Sequence, residues 1–278
     1  MLARLRRKFH EVWRYPALAA GPGDWRDLML FSLARNRLLP AALARSFTRH
    51  GVFTITPRLR AAGGEPVRIG LDDFPGIDSF DEIFIDRIYN LKAVPFRPEL
   101  VVDCGAFCGF FTTLAVGYFP QARVVCFEAN PENTARLQAQ LALLSRPVEM
   151  HAMAVWLQDG TVRFAGSGLG GAICRDRGTS PTEHQVPCID FPRWLEQHHP
   201  ESLVWKLDIE GAEAELLPAT LPHLPRKTVC FLETHWNDER CQELLAPYCG
   251  AGFSLQEVRR RPWDQGDGAY IEWSLIRT

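Results

Sequence analysis

Residues able to take up or hand on a proton stand at the ends of apolar runs in this 278-residue chain. Asp103 follows Leu100 to Val102, and Glu128 closes Arg123 to Phe127. Asp208, Glu210 and Glu213 follow Leu203 to Leu207, and Glu233, His235, Asn237 and Asp238 follow Thr228 to Leu232. A neutral histidine titrates near 6.5, so His235 is the first candidate for a general base, oriented by a neighbouring carboxylate. Asp208 is the second candidate, with Glu210 beside it. The plainer readings are a structural rim histidine and, for Glu213, a cap on a helix begun by Gly211. Asp208, Glu233 and Asn237 also offer the hard oxygen ligands that suit Mg²⁺, an alternative in which a metal would acidify the group to be deprotonated.

The elements that must position these groups start at VVDCGAFCGFFT, Val101 to Thr112. A short buried strand runs into a turn with Gly105 and Gly109. Glycine lacks a Cβ and lets backbone approach a ligand closely. Phe110 to Phe119 then reads as a helix, so strand, turn and helix form the first unit of a doubly wound sheet, whose ligands lie beyond the strand carboxyl ends. A dinucleotide fingerprint would place glycine where Phe107 stands, which disfavours a pyrophosphate and with it an NAD-linked oxidoreductase. Glu128, 25 residues after Asp103, ends the second strand, where a carboxylate can accept hydrogen bonds from both hydroxyls of a ribose. Asn130 followed by Pro131 predicts an N-cap, and Leu137, Leu141 and Leu144 a core-facing stripe.

Further along, Val148 to Trp156 reads as a third strand, with a hairpin turn at Asp159-Gly160 into Thr161 to Ala165. The polar, glycine-rich stretch from Gly166 to His184 is a candidate acceptor loop. After the fourth and fifth strands come a helix, Glu239 to Tyr248, and two last strands, Phe253 to Val258 and Tyr270 to Ile276.

Four segments resemble the FkbM-type methyltransferases in order and spacing: Val101 to Gly109, FEANPEN from Phe127, CIDFPRWL from Cys188, and KLDIEGAEAELL from Lys206. The likeness covers roughly Asp78 to His235. It implies a Rossmann-like class I methyltransferase fold: α/β, doubly wound, with a mostly parallel seven-stranded sheet and an antiparallel last strand. It also implies S-adenosylmethionine as cofactor and O-methylation of a hydroxyl on a sugar, glycolipid or secondary metabolite. By the same resemblance Asp103, Gly105, Ala106, Phe107, Gly109, Glu128, Ala129, Asn130 and Asp208 border the cofactor, with the backbone near Ala154 against its adenine. The family usually has asparagine and isoleucine where this chain has Phe107 and Cys108. The competing class is a non-catalytic binding module that keeps the cofactor fold as an interaction surface.

Composition bounds the rest. An apolar content of 46% in 278 residues suffices for an α/β domain with an extension, and no apolar run nears the roughly 20 residues that cross a bilayer. Eight cysteines without a C-x-x-C pair speak against a zinc site or disulfide framework and for reduced thiols in the cytoplasm. Residues 1–60 hold twelve Lys/Arg against three acids, whereas the whole chain carries −2. Leu2 to Trp13 suits a basic amphipathic helix, read as a cap on an acidic domain or as a contact to an anionic membrane surface. Val52 to Ile55 and Pro66 to Leu71 read as two paired strands and Asp78 to Tyr89 as a helix. The expected organisation is a helical and hairpin extension over 1–95 and a cofactor domain over 96–278. The expected partner is a small-molecule, glycan-linked or lipid-linked acceptor, and no nucleic acid.

Overall fold

The computed structural model describes residues 12–36, 38, 48–49, 52–53, 58–59, 66–70, 78–166, 171–174, 183–263 and 266–278. Most of the basic arm and of the Gly166 to His184 stretch lies outside them, as do Ile55 and Leu71. In the N-terminal part, helix α1 (Pro22–Arg35) precedes four short strands: β1 (Thr48–Arg49), β2 (Val52–Phe53), β3 (Arg58–Leu59) and β4 (Val67–Arg68). The expected pairing of Val52 and Val67 strands is corrected. β2 pairs with β1, and β4 with β3, each strand taking the partner that closes the shorter loop. The helix expected over Asp78 to Tyr89 stops at Asp86, because Arg87 turns left-handed at φ 58°. Its last six residues, Asp81–Asp86, form a π-helical turn.

The main sheet has seven strands: β5 (Leu100–Cys104), β6 (Arg123–Phe127), β7 (Glu149–His151), β12 (Ser202–Leu207), β13 (Lys227–Trp236), β14 (Ser254–Pro262) and β15 (Ala269–Arg277), in the spatial order β14-β15-β13-β12-β5-β6-β7. β12, β13, β5, β6 and β7 are mutually parallel, and β15 is reversed, running antiparallel to both β13 and β14. The strand order reverses between β5 and β12, the switch point at which doubly wound sheets bind ligands. Both sheet faces are covered. Val101, Val204 and Val229 join Tyr15, Phe31, Phe80 and α2 (Phe110–Tyr118) on one face. Val102, Trp205 and Leu207 meet α4 (Phe191–His198), α5 (Glu213–Thr220) and α6 (Asp238–Gly250) on the other. That two-sided burial explains the continuous apolar runs. The first cluster also joins residues from either side of position 95.

The strand expected from Val148 to Trp156 is two. β7 belongs to the main sheet, and β8 (Ala154–Trp156) enters a second sheet with β9 (Gly160–Ala165), β10 (Ala172–Ile173) and β11 (His184–Asp190), in the order β10-β9-β11-β8. Asp159-Gly160 therefore does not close a hairpin: β11 lies between β8 and β9. α3 (Pro131–Leu141) starts as its sequence predicts, Asn130 Oδ1 accepting from the Glu132 amide at 3.0 Å.

Candidate active site

The glycine turn packs against the loop that follows β12. Gly105 stands at φ +79°, and a Cβ there would overlap the Asp208 carbonyl oxygen and lie 3.0 Å from its carbon. The amides of Gly105 and Ala106 both donate to the Phe127 carbonyl, at 3.0 and 2.9 Å. Phe107 takes φ +50°, a strained setting for a bulky side chain, and its amide donates to Glu128 Oε2 at 2.6 Å. Glu128 Oε1 accepts from the Asn130 amide at 2.8 Å. Burial nevertheless raises the Glu128 carboxyl above the usual range. A carboxylate has about four lone-pair sites, so acceptor capacity remains on the side facing a cleft of about 640 Å³.

That cleft is lined by Gly105, Phe107, Glu128, Ala129, Asn130 and Ala154 among others, with Asp208 and Glu210 at one end. A buried donor, Asn130 Nδ2, has no hydrogen-bond partner among the described residues. Of the residues expected at the cofactor, Ala106 lines only the neighbouring cleft, and Asp103 and Gly109 line neither. Asp103 is fully buried. It accepts from the Thr112 amide at 3.2 Å and hydroxyl at 2.6 Å and lies 3.3 Å from Lys206 Nζ, which ties β5 to α2 and β12. Gly109 is needed where α2 meets α3: it sits at φ +81°, and a Cβ would come within 2.6 Å of Leu137 Cδ1.

A second cleft, about 1260 Å³, adjoins the first and shares Gly105, Phe107, Asp208 and Glu210 with it. Lys206, Glu233, His235 and the π-helical turn also line it. Lys206, 4% exposed, donates to the Gly105 carbonyl at 2.8 Å and lies 3.5 Å from Asp208 Oδ2. The Tyr89 hydroxyl donates to the same oxygen at 3.3 Å. Burial pushes the Asp208 carboxyl up, but Lys206, then His235, and hydrogen bonds from Glu233 and Tyr89 outweigh it, so Asp208 ionises below its ordinary value. Glu210, strained at φ +59°, is pushed up to about 7 by burial and then by Asp208.

His235 is brought to this rim as expected, but not as a neutral base. Its Nε2 lies 3.6 Å from Glu210 and 3.8 Å from Glu233, and its Nδ1 3.7 Å from the buried Glu213. Burial works to discharge the ring, but Glu213, Glu233 and Asp208 prevail and hold it at about 9. The imidazole is thus charged at neutral pH and has no lone pair with which to take a proton. Burial and then Asp208 raise Glu233 above the usual carboxylate range. Glu213 is the first residue of α5, at the helix start where the plainer reading put it, and its Oε1 accepts from the Ile209 amide at 2.7 Å.

The oxygen set considered for Mg²⁺ is also corrected. Asn237 is occupied as the N-cap of α6, Oδ1 accepting from the Arg240 amide at 3.1 Å. His235 takes its place near Asp208 and Glu233, the ligating atoms lying within 4.8 Å of one another. Lys206 at 3.5 Å from Asp208, Arg261 donating to Glu233 at 2.9 Å and the imidazolium already compensate these acids.

Lys206, Tyr89 and Arg261 were not singled out by sequence reasoning. For Lys206 a signal existed: a lysine inside the apolar run Leu203 to Leu207 must find a buried partner.

No family model matches this chain. It is 36% identical over 72 residues to the AMB antimetabolite synthetase AmbE of Pseudomonas aeruginosa, a stretch that covers 26% of this chain and 3% of that protein. Solved structures of similar shape include the methyltransferase FkbM from Methylobacillus flagellatus KT, with 13% identity, 99% of this chain and 60% of that one covered, and a TM-score of 0.44. M. jannaschii TYW2 in complex with AdoMet has 12% identity, coverage of 80% and 87%, and a TM-score of 0.44. Precorrin-6y C5,15-methyltransferase from Geobacter metallireducens GS-15 has 12% identity, coverage of 69% and 89%, and a TM-score of 0.42. The strand order of the main sheet, and not these distant likenesses, establishes the fold. No helix among the described residues is long and apolar enough to cross a membrane.

Proposed function

We propose that this chain is an S-adenosylmethionine-dependent methyltransferase of the FkbM type that methylates a hydroxyl of a sugar, glycolipid or secondary metabolite. The observation that carries the reading is the meeting of two clefts at Gly105, Phe107, Asp208 and Glu210, at the switch point of the sheet. Glu128 retains acceptor capacity for ribose hydroxyls, Asn130 Nδ2 is a buried donor without a partner among the described residues, and Phe107 stands where a dinucleotide fingerprint has glycine. These features suit a nucleoside without phosphates. S-adenosylmethionine, when bound, supplies an electrophilic methyl group on a good sulfonium leaving group.

The chain's own task is to align the acceptor oxygen and receive its proton. Asp208, ionised and open to the second cleft, is the base in this reading, with Glu210 at the same junction. His235 serves as a cation that keeps Asp208 ionised, while Lys206 holds the Gly105 carbonyl.

Isothermal titration calorimetry tests the cofactor, with micromolar affinity for S-adenosylmethionine expected and no heat at about 1 mM, the weak limit near −4 kcal/mol, overturning the reading. Tritiated methyl transfer into fractionated cell extract tests the reaction. Asp208→Asn should lower the rate on the order of 10²–10⁴-fold, the usual contribution of a positioned base.

A further inference from the structure

Four consecutive residues, Val12 to Tyr15, are sorted by what holds them. Val12 and Tyr15 are buried. The Val12 carbonyl accepts from the Ser32 hydroxyl of α1 at 2.9 Å, and the Tyr15 ring meets Phe31 of the same helix edge-on at 5.2 Å and stacks on Phe80 at 5.9 Å. Arg14 pairs with Asp86, and the Tyr15 hydroxyl donates to Asp81 Oδ1 at 2.7 Å. Asp81 and Asp86 belong to the π-helical turn that walls the second cleft. With its neighbours fixed in this way, Trp13 stays open at 43% exposure.

It adjoins a second open indole. Trp25 of α1 is 42% exposed, its ring centre 6.1 Å from that of Trp13, while Leu28 and Phe31 anchor the helix in the core. Met29 and Leu33, one and two turns beyond Trp25 on its side of the helix, are part-exposed. Apolar side chains scattered singly over a surface need no explanation, but adjoining ones mark an interaction surface. Neither indole lines either of the two clefts. Charge names the occupant. Residues 1–60 hold twelve Lys/Arg against three acids, and Arg4, Arg6, Arg7 and Lys8 precede Trp13 in sequence. Two of the acids are taken, Asp27 by Arg26 and Asp24 by Arg58, so Glu11 alone is left within the segment for the remaining cations. Tryptophans at headgroup level and an excess of Lys/Arg are the two features that hold a peripheral protein on an anionic bilayer.

We propose that the Trp13–Trp25 pair is a docking surface for an anionic phospholipid bilayer, the indoles lying among the headgroups and the basic N-terminal sequence adding its charge. Through Arg14 and Tyr15 the pair is tied to the π-helical turn, which sets the second cleft beside the docked surface. The docking holds whatever reaction the clefts support.

The test is flotation of the full chain with vesicles of phosphatidylcholine alone and of phosphatidylcholine mixed equally with phosphatidylglycerol. Binding to the mixed vesicles should exceed binding to the neutral ones at least about tenfold, as a few basic side chains near the surface provide. It should fall as salt rises from about 0.1 M to about 1 M, which shortens the screening length from about 10 Å to about 3 Å. Trp13→Ala with Trp25→Ala should weaken binding to the mixed vesicles at least about tenfold, and Trp13→Phe with Trp25→Phe should lose less, since an aromatic face remains. The melting temperature of both double variants should match that of the wild type, which separates lost docking from lost folding. A wild-type chain that stays off the mixed vesicles, equal binding to neutral and mixed vesicles, or a folded double alanine variant that floats as the wild type does, each overturns the docking surface.

Discussion

Replacing Lys206 by methionine keeps most of the side-chain volume and removes the charge between two buried acids. In the native chain the ammonium lies 3.3 Å from Asp103 and 3.5 Å from Asp208 and donates to the Gly105 carbonyl at 2.8 Å. Burial acts to discharge it, but Asp103 and then Asp208 overcome that and raise its pKa. Lys206→Met leaves both carboxylates in the sheet without their cation, and breaking such a buried pair costs about 3–5 kcal/mol. The sign with pH follows. A lysine raised in the folded state contributes fully below its ordinary value of 10.5, so the deficit of the variant is present at neutral pH. Without the ammonium, which holds Asp208 below its ordinary value, that carboxyl binds a proton more readily when folded, so the deficit shrinks as acidification neutralises it. Equilibrium urea denaturation at pH 7 and at pH 4.5 measures both. Lys206→Met with Asp103→Asn should recover part of the loss, since one of the two stranded charges is gone. A deficit below about 1 kcal/mol at pH 7, the size expected of an exposed pair, would refute the claim that Lys206 is the buried counter-ion of this rim.

Stability should also fall from neutral to alkaline pH. His235 is raised from 6.5 to about 9, so its contribution is complete below 6.5 and disappears as pH climbs through 9, and Glu233, raised to about 9, acts in the same direction. The urea midpoint followed from pH 6.5 to 9.5 should drop in the wild type and flatten in His235→Asn; parallel curves would contradict it. Gly105→Ala places a methyl group on the Asp208 carbonyl at a left-handed φ, adding strain of roughly 1–2 kcal/mol to the overlap. Calorimetry should show cofactor affinity reduced at least about tenfold, and an affinity within twofold of wild type would exclude the close approach. Glu128→Gln swaps one acceptor oxygen for a donor amide facing the Phe107 or Asn130 amide, and should weaken the cofactor by about 1–3 kcal/mol, the cost of a stranded buried group; unchanged affinity would remove Glu128 from the cradle.

Local chemistry written in the chain determined a good part of this molecule. Val101 to Gly109 had to be strand and turn because only glycine takes φ +79° and +81° without strain, and Asn130-Pro131 had to open a helix because a side-chain acceptor stands before a residue with no amide proton to satisfy. The spacing of apolar runs placed Asp208, Glu210, Glu233 and His235 at one rim, and the resemblance to a known family implied the main sheet with its reversed last strand. Tertiary structure decided what those residues are. Asp103, at the head of the most telling motif, is turned inward to Thr112 and Lys206. The run after Val148 divides between two sheets because β11 inserts beside β8. His235 carries a proton because acids from the β12–α5 loop, α5 and its own strand surround it, and Trp13 meets Trp25 only because Tyr15 packs on α1. Charge state and cross-strand neighbours are sums over residues far apart in sequence, and a linear chain does not display those sums until it has folded.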